Sequence, residues 1–237
     1  MKYKHLFFDL DNTLWDFEKN SHETFNELYQ HYLADQSKIP SVKDFFEAYT
    51  IHNTRLWGLY RESLISKDEL KDTRFLITLQ EFGIDDKKLA SILSDEYTYR
   101  SPRKGILFPG TIETLDELKN RFQLHIITNG FEEIQHVKLE FAGLTKYFAN
   151  LITSEQAESK KPDAGIFNYA LEMAGATAEE SLMIGDDLDV DIIGAREIGM
   201  DTILFDPFDI YLSRQDPTHR VNNISDILLF LENLNQG

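Results

Sequence analysis

The sequence predicts an α/β protein: a doubly wound parallel sheet, interrupted by a long helical insertion. Three observations carry this. From about residue 101 onward, short apolar runs alternate with segments of helical spacing. One further apolar run, His5-Leu6-Phe7-Phe8, stands alone near the start. Between the two, from about 17 to 100, only helical periodicity is found.

The first strand is expected at 5–10. Phe25, Leu28, Tyr29, Tyr32 and Leu33 then fall at helical spacing. Phe45, Phe46, Tyr49, Leu56, Trp57 and Tyr60 make a second helix. A third runs from Lys67 to Phe82, with Ser66 as cap, Glu69 three residues on, and Gly83 to end it. A fourth spans about Asp86 to Tyr99, and Ser101-Pro102 with Pro109-Gly110 marks a boundary. Four helix–strand pairs follow: 111–120 with 122–128, 131–142 with 149–153, 163–174 with 181–185, and 189–198 with 201–205. A last helix covers about 224–234. Such alternation implies right-handed βαβ crossovers. The domains are therefore a core of 1–16 with 101–237, and an insertion of 17–100. No internal repeat or low-complexity segment interrupts them.

The chain has 237 residues, 42% of them hydrophobic, enough for a packed core plus a smaller domain. Its net charge of −17 disfavours nucleic-acid polymers as partners. A small anionic substrate remains compatible, because a bound cation and a few basic side chains reverse the local potential. The absence of cysteine excludes disulfides, zinc–thiolate sites and thiol nucleophiles. Leu6-Phe7-Phe8 is too short for a signal-peptide apolar region, and no run has transmembrane length. A cytoplasmic protein without a membrane partner is expected, which makes the Asn223-Ile-Ser225 sequon a chance match. The oligomeric state is not legible.

In a parallel sheet, ligands sit beyond the carboxyl ends of the strands. The first strand ends in Asp9 and Asp11, and the next in Thr128, Asn129 and Gly130. The third is followed by Ser154, Lys160 and Lys161, and the fourth by Asp186, Asp187 and Asp191. Acids, a hydroxyl and an ammonium thus converge on one edge. Asp9 and Asp11, two apart in extended chain, point the same way. Two facing carboxylates need a cation between them or a proton on one. A hard cation such as Mg²⁺ suits oxygen ligands. A carboxylate can also attack phosphorus, while a second acid protonates the departing alcohol. Thr128 and the N–H groups after it can hold a phosphate oxygen at a helix start, and Lys161 can neutralise it. Asp187, Asp189 and Asp191 are not an EF-hand loop, since Ile192 and Ile198 occupy the positions that need Gly and Glu.

These motifs resemble the haloacid dehalogenase superfamily. "DLDNT" at 9–13 is similar to its first motif, "IITNG" at 126–130 to its second, "KKP" at 160–162 to its third and "GDDLDVD" at 185–191 to its fourth. The helical block resembles the family's four-helix cap, and the core its Rossmann-like sheet. "ITNGFEEIQHVKLEFAGLTKYF" and "KKPDAGIFNYALEMAGA" resemble the noncanonical pyrimidine 5′-nucleotidases. The resemblance implies a Mg²⁺-dependent hydrolase of phosphate monoesters, working through an aspartyl phosphate. In it Asp9 is the nucleophile and Asp11 the general acid and base. Mg²⁺ is held by Asp9, the Asp11 backbone carbonyl and Asp186, with Asp187 and Asp191 at the metal or just behind it. Thr128, Asn129 and Lys161 bind the phosphoryl group. Asp11 argues against C–Cl hydrolysis, because expelling halide needs no proton donor. Asn53, Trp57 and Phe131 are the candidates for substrate specificity, and Tyr60 reads as packing inside the helical block. A nucleoside monophosphate is the expected partner. Sugar phosphates or phosphoglycolate are the alternative substrates, and a phosphoacceptor or binding module is the alternative of another class.

Overall fold

The computed structural model describes residues 2–212 and 217–233. The chain divides into two compact units, one of Met1–Phe17 with Gly105–Gly237 and one of Glu18–Lys104.

Among the described residues the first unit has a six-stranded sheet. Its strands are β1 (His5–Phe8), β2 (Gln123–Thr128), β3 (Asn150–Thr153), β4 (Ser181–Gly185), β5 (Asp201–Phe205) and β6 (His219–Val221). They lie in the order β3-β2-β1-β4-β5-β6. Every neighbouring pair is parallel. The chain builds outward from β1 to one side through β2 and β3, then returns to its other side with β4. The order therefore reverses at β1, and a ligand crevice opens beyond the carboxyl end of that strand.

The pleat sends alternate side chains to opposite faces. Leu6, Phe8, Leu124, Ile126, Leu182 and Ile184 pack on one side with Leu115 and Leu118 of α5 (Thr111–Leu118), and Leu139 of α6 (Glu132–Phe141). Ile227 and Leu231 of the C-terminal helix (Asp226–Asn233) join them. Phe7, Ile127, Ile152 and Met183 pack on the other side with Ile166, Phe167 and Ala170 of α7 (Ala164–Ala174) and Ala195 of α8 (Gly194–Glu197). Helices on both faces make the sheet doubly wound. The central strands are apolar on both faces and read as unbroken hydrophobic runs for that reason.

The second unit is helical: α1 (Phe17–Leu28, entering from the first unit), α2 (Val42–Arg61), α3 (Lys67–Glu81) and α4 (Lys87–Arg100). Ser41, Ser66 and Asp86 cap the last three, and Ser66 with Glu69 forms a reciprocal capping box. Phe25, Phe45, Tyr49, Phe75 and Tyr97 fill its core. The Phe25 ring centroid lies 4.6 Å from that of Tyr49.

Three details differ from the sequence reading. β1 ends at Phe8, not at residue 10, because the chain turns there and only Asp9 N–H continues the ladder, to Ile184 O. Residues 29–33 and 188–193 are wide π-helical turns where regular helix was expected. β6 was not anticipated, since His219-Arg220-Val221 carries one apolar residue. The expected last helix, 224–234, runs one residue outside the described ones.

Candidate active site

Asp9 follows β1 at the point where the strand order reverses and is 7% exposed. Its Oδ1 lies 2.5 Å from Nζ of Lys161. Lys161 comes from the loop after β3 and is itself 2% exposed. Its ammonium also donates to Asp191 Oδ1 at 2.6 Å and to the Ile127 carbonyl at 3.0 Å. Asn129, just past β2, holds the backbone of Lys161 from both sides. Its Oδ1 accepts from Lys161 N–H at 2.8 Å and its Nδ2 donates to Lys161 O at 2.9 Å. The Asn129 amide is thus committed to placing the lysine.

Asp186 and Asp187 follow β4. Asp186 Oδ1 accepts from the Thr13 hydroxyl at 3.1 Å. Asp187 Oδ1 accepts from the N–H groups of Asp189 and Val190 and so caps the π-helical turn that follows. Asp191, inside that turn, brings its carboxylate back, where Oδ2 accepts from Asp187 N–H at 3.2 Å. Gly185 permits this approach: a Cβ there would stand 2.3 Å from Asp191 Oδ2. Between the two acids the sequence could not divide, Asp187 serves the backbone and Asp191 faces the site.

Carboxylate oxygens of Asp9, Asp186 and Asp191 lie within 4.8 Å of one another. Among the described residues, Lys161 is the basic side chain bonded to this group. Burial pushes the Asp9 carboxyl up to about 7, with Lys161 opposing the rise and Asp191 and Asp11 adding to it. Asp186 is held well above the usual carboxylate range by burial, then by Asp191 and Asp9. Burial alone would lower the Lys161 ammonium, but Asp191 and Asp9 outweigh it and raise it. Three clustered acids, Asp9 and Asp191 buried and Asp186 half-buried, against one ammonium leave negative charge that a hard cation would neutralise, and an all-oxygen donor set suits Mg²⁺.

Asp11 does not share a partner with Asp9. The backbone bends at Asn12, whose φ is 61°, and the Asp11 carboxylate meets α6 instead. Lys138 Nζ lies 2.5 Å from Asp11 Oδ1, and Gln135 Nε2 donates to Oδ2 at 3.2 Å. Thr128 ends β2 buried, with its Oγ1 accepting from Gly130 N–H at 3.0 Å. Phe131 is buried just before α6. Asn53 is buried in the helical unit and accepts from the Tyr49 hydroxyl at 3.3 Å. Trp57 packs its ring edge-on to Tyr60 at 5.5 Å, in the same unit.

Thr13, Gln135 and Lys138 were missed as site residues in the sequence. Thr13 was inside the quoted first motif. Gln135 and Lys138 left a weaker sign: they occupy the face of α6 that also buries Leu139.

Residues 3–199 match the family model described as a haloacid dehalogenase-like hydrolase. The chain belongs to that family, and it is a hydrolase. It is 34% identical over 231 residues to pyrimidine 5′-nucleotidase PynA of Streptococcus pneumoniae, covering 96% of this chain and 94% of that protein. It is 32% identical over 203 residues to pyrimidine 5′-nucleotidase YjjG of Escherichia coli, covering 85% of each. Its fold superposes with a TM-score of 0.86 on the magnesium-bound crystal structure of the putative HAD-hydrolase YfnB from Bacillus subtilis, at 29% identity, covering 98% of this chain and 100% of that one. No helix among the described residues is long and apolar enough to cross a membrane.

Proposed function

We propose that the protein hydrolyses phosphate monoesters through a phosphorylated Asp9, with pyrimidine nucleoside 5′-monophosphates as its substrates. The observation that carries the reading is the buried Asp9–Lys161–Asp191 triplet at the reversal point of the sheet. Sequence similarity to two pyrimidine 5′-nucleotidases supports the substrate class.

A carboxylate oxygen of Asp9 attacks phosphorus, and the bond from phosphorus to the ester oxygen breaks. That oxygen leaves with the bonding pair and takes a proton from Asp11. Water then attacks the phosphorus of the aspartyl phosphate and loses a proton to Asp11. The phosphorus–Asp9 bond breaks, which restores the carboxylate and releases inorganic phosphate. Lys161 and Thr128 hold the phosphoryl oxygens, and Lys161 balances their charge. Asn129 keeps Lys161 in place through its backbone. Phosphoryl transfer depends on such placement and charge neutralisation more than on covalent effort. Asp9, Asp186 and Asp191, with the Asp11 carbonyl, would hold Mg²⁺, which supplies positive charge to the phosphoryl oxygens.

Asn53 and Trp57 of the helical unit, and Phe131 just before α6, are the residues to vary for substrate specificity. The test is inorganic phosphate release, with Mg²⁺, from dUMP, dTMP, UMP, AMP, phosphoglycolate and hexose phosphates. Preference for pyrimidine monophosphates, abolished by Asp9→Asn and by EDTA, is expected. Preference for sugar phosphates would retain the mechanism and replace the substrate. No release from any ester would overturn the hydrolytic reading.

A further inference from the structure

We propose that Lys138 and Gln135 are positioning residues for Asp11, fixing its carboxylate where it exchanges a proton with the ester oxygen and with water. This rests on the acid–base role given to Asp11 above. Gln135 and Lys138 are three residues apart on α6 and so project from one face. They are 1% and 5% exposed, on a face where leucine would bury at less cost. One binds each oxygen of the Asp11 carboxylate, Lys138 at 2.5 Å on Oδ1 and Gln135 at 3.2 Å on Oδ2. The Lys138 ammonium also stands 4.2 Å from the centroid of the Trp15 ring, which is fully buried. That π face adds attraction for the cation and keeps water from one side of the ion pair.

The surrounding backbone makes room for this clamp. A Cβ on Gly130 would stand 1.9 Å from Gln135 Nε2 and 2.6 Å from its Cδ. Any side chain at 130 would therefore displace the amide from Asp11. Asp11 itself lies past the end of β1, on a turn closed by Asn12 N–H to Trp15 O and by the Leu14 and Trp15 N–H groups to Leu10 O. An acid on such a turn has no strand ladder to orient it. Proton transfer needs the donor within hydrogen-bond reach of the departing oxygen, so side-chain restraint from a neighbouring helix supplies what the backbone does not.

The experiment compares Lys138→Met, Lys138→Arg, Gln135→Met and Asp11→Asn on an alkyl phosphate and an aryl phosphate. A good phenolate leaving group departs with little help from an acid, whereas an alkoxide needs the proton. Lys138→Met is expected to lower kcat on the alkyl ester by about 10- to 100-fold, with KM changed less than about threefold. Release of the phenol in the first turnover should stay within about threefold of the parent enzyme. Lys138→Arg should restore part of the loss. Lys138→Met added to Asp11→Asn should cost no more than Asp11→Asn alone, because both act through one group.

Equal losses in first-turnover release from both esters, additive losses in the double variant, or unchanged kcat on the alkyl ester would each overturn the proposal. Gln135→Met, expected to show the same leaving-group pattern at smaller size, keeps the test intact if Lys138→Met fails to fold. If Asp11→Asn itself shows no leaving-group dependence, the acid–base role of Asp11 fails. If Asp11→Asn shows it and neither clamp variant does, only the positioning role fails.

Discussion

The Lys161 ammonium sits 2.5 Å from Oδ1 of Asp9, 152 positions away in sequence, and both side chains are buried. Removing one partner of a buried ion pair leaves an uncompensated charge. Lys161→Met strands both Asp9 and Asp191, so unfolding free energy should fall by about 3–5 kcal/mol. Turnover should fall by at least about 10²-fold, since a charge-stabilising donor is lost as well. Urea unfolding and phosphate release measure the two. Parental stability with parental turnover would remove Lys161 from the account.

Divalent cation binding should show in stability apart from activity. Magnesium is expected to raise the thermal midpoint, equivalent to about 2.7 kcal/mol when its concentration is 100 times Kd. Asp186→Asn removes a carboxylate from the group of three and should abolish most of that rise. The same magnesium-dependent shift in Asp186→Asn and in the parent would place the cation elsewhere.

Gly185 tests the close approach of Asp191. In Gly185→Ala the new Cβ meets Asp191 Oδ2 at 2.3 Å and its Cγ at 2.5 Å. Asp191 is pinned to Lys161 and to Asp187 N–H, so it cannot yield freely. A loss of about 1–3 kcal/mol in unfolding free energy is expected, with weakened magnesium stabilisation. Thermal melts with and without magnesium read both, and an unaffected magnesium shift would count against Asp191 as part of the cation site.

Acid should destabilise the protein through a histidine pair on the interior strands β1 and β2. His5 Nδ1 lies 3.1 Å from His125 Nε2, and Asn150 bonds the other His125 nitrogen at 3.0 Å. Burial pushes His125 down to about 4, with His5 adding to the shift, and burial lowers His5 too. Below about 6.5 the unfolded chain protonates these rings while the folded one resists, so the unfolded state binds more protons. Stability should therefore fall as pH drops from about 6.5 towards 4, by at most about 3 kcal/mol for His125. His125→Phe should be less stable at pH 7 but lose less on acidification. Parallel pH profiles for the two proteins would contradict this.

The sequence showed most of the sheet because buried parallel strands are continuous apolar runs. The apolar runs "SLMIG" and "DTILF" coincide with β4 and β5 to the residue. The apolar run reads longer than β1 because Leu10 is apolar and fully buried, yet it packs from a turn beyond the ladder. β6 was missed because a three-residue edge strand with one buried side chain carries no periodicity. In the site, Asp9 and Asp186 stand out because they follow apolar runs at strand ends, whereas Lys161 lies in the loop after β3 and is marked by its place before Pro162 in the resembled third motif. Asp191 could not be separated from Asp187 by spacing, since a π-helical turn, not a regular helix, sets where its carboxylate goes. Gln135 and Lys138 share the buried face of α6 with Leu139, but as polar residues they read as ordinary helix surface until their burial against Asp11 is seen.

The most direct test of the central claim is a search for the phosphoryl group on the protein. Enzyme is mixed with dUMP and magnesium, quenched in acid within milliseconds, digested and examined by mass spectrometry. One phosphoryl group is expected on the peptide that contains Asp9, rising and decaying with turnover and absent from Asp9→Asn. Phosphate released at the parental rate with no adduct at any quench time, or an adduct on another residue, would contradict it.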